Sequence, residues 1–226
     1  MAGLEKIEQL VVGWHDRGFI GVAERTEDFI TLKSGRKSPH YANFRGVMSI
    51  DKDNQLSKVD QLSLRKLTIS VAADLLCNST IDYDHIAPIP QAITQLGGAI
   101  AVKAGTSSLN PRVKEGEKGY GKHKPVEGDY LPGDEVIGFD DVVTTGDAKS
   151  EFLEPMEAAG LVVPGYLVLL DREEGGRANV EATGRQLESV VGMYDVAEIL
   201  LGADRITPTQ YGFIQTYLGE YGDRAA

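Results

Sequence analysis

One cysteine, one tryptophan and four histidines stand among 226 residues. A single thiol excludes a disulfide within the chain. Cys77 lies in the apolar stretch Ala72–Cys77 and reads as a reduced core residue, which suits the cytoplasm. No Cys/His ligand spacing is present, so a structural zinc site is excluded. Apolar runs are short, and none nears the roughly 18 residues that a membrane span needs. Met1–Lys6 lacks a basic segment leading into an apolar one, so no secretory leader is expected. Positive charge is scarce: 23 Lys and Arg face 34 Asp and Glu, a formal net charge of −11. Such a surface repels nucleic acid and polyphosphates alike. Neither nucleic acid nor membrane is therefore an expected partner, and an anionic substrate needs local cations or a bound divalent ion.

The few cations are clustered. Lys33, Arg36 and Lys37 share one short segment, and Lys114, Lys118, Lys122, His123 and Lys124 share another. Between the clusters the pattern alternates. Helical spacing over residues 3–18 (Leu4, Ile7, Leu10, Val11) predicts an amphipathic helix ended by Gly18. Phe29–Lys33 and His40–Arg45 read as a hairpin around Ser34–Pro39. A long helix is expected over 55–77, a strand at His85–Pro88 and a helix at Ala92–Ala104. Further strands fit Val136–Phe139, Gly165–Leu170 and Ser189–Met193, with helices at Ala148–Ala159, Gly176–Thr183, 194–201 and 207–219. Short apolar strands alternating with helices predict an α/β fold with a doubly wound, mostly parallel sheet. Residues 1–50 differ in kind and read as a small N-terminal helix and hood subdomain, leaving 51–226 as the core. Segment 105–128 is poor in core residues and rich in Gly, so a mobile loop is expected there, at 113–128.

The most informative stretch is 136–148, Val-Ile-Gly-Phe-Asp-Asp-Val-Val-Thr-Thr-Gly-Asp-Ala. An apolar strand is expected to stop at Asp140 and Asp141, then turn through Thr144, Thr145 and Gly146 into a helix. Hydroxyls, a Gly that tolerates positive φ and free helix N–H groups make an anion cradle. Carboxylates beside that cradle suit a ligand with both hydroxyls and phosphate, such as a ribose 5-phosphate. In an open α/β sheet, ligands sit at the carboxyl ends of the strands. Two other segments end there, the loop Pro88–Ala92 and the charged run after Leu170. Gly116–His123 nearly matches a P-loop, but it lacks the final Ser or Thr, and Pro125 follows in place of a helix. That reading is rejected.

Stretch 136–148 resembles the PRPP (5-phosphoribosyl 1-diphosphate) motif of type I phosphoribosyltransferases. Three more segments sharpen the likeness. Asp28–Tyr41, with Leu32-Lys33-Ser34-Gly35-Arg36, resembles the N-terminal signature of orotate phosphoribosyltransferases. Lys114–Gly128 is similar to that family's Lys-rich catalytic loop, and Asp171–Gly176 to its downstream Asp-Arg-x-Glu stretch. All four stand in family order across residues 28–176.

The resemblance implies a type I phosphoribosyltransferase-like fold and transfer of the 5-phosphoribosyl group from PRPP to orotate, giving orotidine 5-monophosphate and diphosphate. It implies that Asp140 and Asp141 hold the ribose hydroxyls and that Thr144, Thr145, Gly146, Asp147 and Ala148 cradle the 5-phosphate. Lys33 and Arg172 would contact the pyrimidine, with Thr144 nearby, Tyr41 would be a further substrate-binding residue, and Gln91 would face the diphosphate. Lys118, with Lys114 or Lys122, would close over the leaving group, across the interface of a homodimer. Mg2+ would be held mainly through PRPP, with no dedicated metal cage. Cations aimed at diphosphate and a lid that excludes water are what an oxocarbenium-like displacement needs. Some positions depart from the family pattern. Gln91 replaces a common Lys, Tyr120 a His found in some members, and Glu115 a second Lys or Arg, unless a one-residue insertion gives that place to Lys114. The alternatives are a purine or another base as acceptor, or a non-catalytic PRPP-sensing regulator. A DNA-binding regulator would need a basic face, which the −11 charge disfavours.

Overall fold

The computed structural model describes residues 2–32, 35–90, 93–112, 124–145 and 150–223. The chain opens with α1 (Ala2–Asp16), which ends at Gly18 with φ of +80°. Strand β1 (Ile20–Val22), a 3-10 turn at Thr26–Asp28, β2 (Ile30–Thr31), β3 (Lys37–Ser38) and β4 (His40–Ala42) follow. Ser57 then caps α2 (Lys58–Cys77), its hydroxyl accepting from the Asp60 N–H. Next come β5 (His85–Pro88), α3 (Thr94–Ala104), β6 (Ser107–Ser108), β7 (Asn110–Pro111) and β8 (Val126–Glu127). Strand β9 (Val136–Val143), α4 (Ser150–Ala158), β10 (Gly165–Asp171), α5 (Gly176–Glu181) and β11 (Gln186–Gly192) form the next units. Helices α6 (Met193–Gly202) and α7 (Pro208–Tyr221) close the chain, and Thr207 and Gln210 cap α7 reciprocally.

Among the described residues the main sheet has five strands in the order β11-β10-β9-β5-β6, all paired in parallel. Counted along the chain that order is 2-1-3-4-5, the doubly wound pattern expected from sequence. Its switch point lies between β5 and β9, where such folds bind ligands. Alternation supplies both faces of the sheet. Ile86, Ile137, Phe139, Leu167 and Leu169 pack into one core with residues of α1, α2, α3, α6 and α7, while Ala87, Val136, Tyr166 and Val168 join Phe152 and Met156 of α4 and Val180 of α5 in the other. Flanked by β11 and β9, β10 is an inner strand of this all-parallel sheet and is buried along its whole length. Trp14 of α1 is fully buried against Phe44, and its Nε1 donates to Thr68 Oγ1 at 3.1 Å. No described helix is long and apolar enough to cross a membrane.

Four readings of the sequence need correction. The strand at 136 does not stop at the acids, because pairing with β10 carries it through Asp140 and Asp141 to Val143. His40 does not return on Phe29–Lys33. Lys37–Ser38 pairs with Ile30–Thr31, and after Pro39 the chain changes partner, so that His40–Ala42 pairs with Ile20–Val22. The Ser38 hydroxyl brackets Pro39, donating to the His40 carbonyl at 2.8 Å and accepting the His40 N–H. Cys77 is exposed rather than core: Leu76 takes the inward position, and the next residue turns about 100° away. Finally, the span read as a loop has an ordered stem. Strand β8 pairs with β7, and Leu109 and Val126 are buried there, so only 113–123 of that segment lies outside the described residues.

Candidate active site

The crevice at the switch point is built mostly by backbone. As β5 ends, the Ile89 N–H donates to the Phe139 carbonyl at 2.7 Å; as β10 ends, the Arg172 N–H donates to the Val143 carbonyl at 3.1 Å. These bonds gather three strand exits around the end of β9. There Asp140 and Asp141 sit half-buried, with the Asp141 N–H on Asp140 Oδ1 at 2.9 Å. Val143 anchors the exit in the core, and Thr144 and Thr145 follow half-buried. Helix α5 braces that turn. Its first residue, Gly176, leaves no room for a side chain, since a Cβ would meet the Thr144 carbonyl at 2.3 Å. Asn179 Nδ2 donates to the Thr145 carbonyl at 2.8 Å. The Thr-Thr turn is thus held at a fixed height above the strand ends.

Beside it, the run after β10 divides its side chains between neighbours. Asp171, buried at the strand end, accepts the Glu173 N–H at 2.9 Å and pairs with Arg177 at 3.2 Å. Burial pushes its carboxyl above the ordinary value, against the lowering pull of those two partners. Glu173 adopts φ of +56°, unusual for a residue with a side chain. Its carboxylate reaches the start of α6 and accepts the Tyr194 N–H at 2.7 Å, a favourable place for negative charge. Gly192 gives it room, because a Cβ there would lie 2.7 Å from that carboxylate.

Arg172 and Glu174 turn the other way, into a buried polar cluster under the N-terminal strands. Arg172 Nη2 donates to Ser38 Oγ at 3.1 Å, lies 3.2 Å from His40 Nε2 and is 2.8 Å from Glu174 Oε1. Glu174 Oε2 also receives Arg36 Nη2 and the Tyr217 hydroxyl, each at 3.2 Å. Arg36 stacks over the Tyr221 ring at 5.1 Å, and His40 meets Tyr217 edge to face. The cluster joins the N-terminal segment, the β10 exit and α7. Burial is the largest influence on both titrating groups. It drives the His40 imidazole below its usual value, helped by the charge on Arg172 and opposed by Glu174. It would raise Glu174, but the nearby His40 imidazole, the Arg172 charge and the Tyr217 hydroxyl prevail and hold that carboxyl low. The cluster therefore holds a neutral imidazole beside an ionised carboxylate and a guanidinium.

Among the residues picked out by sequence, Asp140, Asp141, Thr144 and Thr145 meet at the end of β9, where Arg172 joins them through its backbone N–H while its side chain enters the polar cluster. Tyr41 does not share the Arg172 cluster. It follows His40 on β4, is 42% exposed and lies across Gly21 on the neighbouring strand. Lys33, Gln91, Lys114, Lys118, Lys122, Gly146, Asp147 and Ala148 lie outside the described residues. Sequence reasoning missed Ser38, His40, Glu174 and Tyr217. Ser38, His40 and Glu174 stand inside recognised motifs. Tyr217 carries no local signal. Among the described residues no group of three or more His, Cys, Asp or Glu is placed to hold a metal ion.

No family model matches the chain. It is 30% identical over 187 residues to the orotate phosphoribosyltransferase of Sulfurisphaera tokodaii, covering 83% of this chain and 88% of that one. It is 29% identical over 190 residues to the uridine 5'-monophosphate synthase of Bos taurus, covering 84% of this chain but 37% of that protein. Among solved structures, UMP synthase of Leishmania donovani superposes with a TM-score of 0.77 at 28% identity, over 95% of this chain and 42% of that one. The chain thus spans well under half the length of the two synthases and most of the single enzyme.

Proposed function

Because this chain belongs to the orotate phosphoribosyltransferase family, we propose that it transfers the 5-phosphoribosyl group of PRPP to orotate, releasing diphosphate and forming orotidine 5-monophosphate. The carrying observation is the juxtaposition at the end of β9: two half-buried carboxylates, a braced Thr-Thr turn and, one hydrogen bond away, the backbone of Arg172.

In this reading Asp140 and Asp141 accept the ribose 2- and 3-hydroxyls and orient C1 for attack. Hydroxyls and backbone N–H groups of 144–148 bind the 5-phosphate. Arg172 faces the pyrimidine, with Lys33 and Tyr41 contributed by residues 1–50, which act as the hood. Gln91 addresses the diphosphate. The acceptor nitrogen of orotate attacks C1 as the C1–oxygen bond to diphosphate breaks, so positive charge builds on the sugar and negative charge on the leaving group. Lys118, supported by Lys114 or Lys122, meets that second charge, and its stabilisation grows as the bond breaks. The β7–β8 stem anchors both ends of the segment that carries these lysines. Two adjacent carboxylates are hard oxygen donors, which fits a Mg2+ ion that takes its remaining ligands from substrate and water. When bound, that ion neutralises charge on the diphosphate. A homodimer sharing the Lys-rich segment across its interface, in the cytoplasm, completes the proposal.

The test is direct. Purified protein given orotate, PRPP and Mg2+ should consume orotate absorbance and release one diphosphate per orotate lost. Folded dimer that shows neither change rejects the reading.

A further inference from the structure

We propose that Glu174 is the positioning residue of the base site: its buried carboxylate sets the Arg172 guanidinium against Ser38 and His40 and leaves one edge of that guanidinium for the pyrimidine. This role rests on the orotate reading above.

An Arg side chain offers five N–H groups and no acceptor. Both hydrogens of Nη2 have destinations, Ser38 Oγ at 3.1 Å and His40 Nε2 at 3.2 Å. Because Arg can only donate, Nε2 accepts in that contact and the imidazole proton then sits on Nδ1, which is buried without a partner among the described residues. Arg172 Nε is also buried and has no hydrogen-bond partner among the described residues. A buried charged donor left unpaired is costly. A ring carbonyl brought in by a ligand would satisfy it.

Glu174 is what makes this arrangement tenable. Its side chain is fully buried and its Oε1 stands 2.8 Å from Nη2 and 3.6 Å from His40 Nε2. Oε1 receives no hydrogen bond and acts on its neighbours through charge. The other oxygen is tied to Arg36 and to the Tyr217 hydroxyl, so the carboxylate cannot rotate freely. Removing its charge would leave Arg172 buried without a counter-ion, and the guanidinium would move toward water or toward Asp171. The side-chain partners of Glu174 are Arg36, His40, Arg172 and Tyr217, and neither Thr144 nor Thr145 is among them, so its loss should be felt by orotate and not by PRPP.

The experiment compares wild type with Glu174→Gln and Tyr217→Phe in steady-state assays that vary orotate and PRPP separately. For Glu174→Gln the KM for orotate should rise by about tenfold or more, with the KM for PRPP within about twofold of wild type. Tyr217→Phe keeps the charge and loses one restraint, so an orotate-only rise of about two- to fivefold is expected. It decides the matter if the Gln variant does not fold. Unchanged orotate KM in the folded variants, or equal rises for both substrates, overturns the positioning role while leaving the activity standing. A wild-type protein that fails to consume orotate overturns the activity itself, and this role with it.

Discussion

Gly176 packs its α-carbon against the Thr144 carbonyl so closely that a Cβ would lie 2.3 Å from that oxygen and 2.7 Å from Val143 Cγ2. Both neighbours belong to the β9 exit, and one is backbone, so the contact cannot be relieved by swinging a side chain. Gly176→Ala should push the Thr-Thr turn away from α5, at a cost of about 1–3 kcal/mol. For a domain of this size that is a Tm lower by roughly 2–12 °C. Because the displaced turn is the proposed phosphate cradle, KM for PRPP should rise more than KM for orotate. Thermal melting and two substrate titrations check both parts; a variant with wild-type PRPP affinity would separate α5 packing from the site.

Asp140 and Asp141 give a second expectation. Neither is in the hydrophobic core, so replacing either by Asn keeps the volume and should change Tm by only a few degrees. What is lost is a charged acceptor for a sugar hydroxyl, worth about 1.5–3 kcal/mol. Values of kcat/KM for PRPP should then fall by roughly 10- to 150-fold in Asp140→Asn and in Asp141→Asn. If both variants kept full activity, the acids would be strand-end charges and the sugar-binding assignment would fail.

Much of this site was readable from residues close in sequence. Val136–Phe139 announced a strand, Thr144-Thr145-Gly146 a turn, and Asp171-Arg172 a charged strand end. Each signal lies within a dozen residues and follows from local rules of burial and turn chemistry. What escaped depends on distant partners. Asp140 and Asp141 continue the strand only because Val168 and Leu170 offer a ladder beside them. His40 carries no local sign of burial, which comes from β4 pairing with β1 and from Tyr217 of α7 packing against its ring. The cluster around Arg172 brings together positions 134 and 132 residues apart in the chain, and no periodicity reports such a meeting. Cys77 shows the converse, an apolar neighbourhood in sequence whose helical phase points outward.

Lys118 provides a test of timing. A cation that meets diphosphate as it leaves strengthens its interaction in the transition state, so its removal should lower kcat. Lys118→Ala should reduce kcat by about 100-fold or more, the scale of losing one preorganised electrostatic donor, while orotate affinity measured by calorimetry stays within about twofold. Unaltered turnover would take Lys118 out of the leaving-group role and point to Lys114 or Lys122.

The His40–Glu174 pair predicts acid lability with a definite sign. Burial, aided by Arg172, holds the folded imidazole below 6.5. As pH falls through 6.5 the unfolded chain takes up a proton that the folded chain refuses, so stability is full above 6.5 and declines toward the folded value. Glu174 acts in the same direction lower down. Its depressed carboxyl contributes stability above 4.5, and that contribution is lost as pH drops through its folded value. Asp171, raised by burial, has the opposite sign and acts above 3.8, where rising pH weakens the fold. The window just below 6.5 therefore isolates His40 from Glu174. Melting curves from pH 7.5 to 5.5 should show Tm falling in wild type and falling less steeply in His40→Gln, whose amide oxygen still accepts from Arg172. Parallel slopes in the two proteins would mean that the imidazole titrates alike in the folded and unfolded chains, and the buried neutral histidine would have to be abandoned.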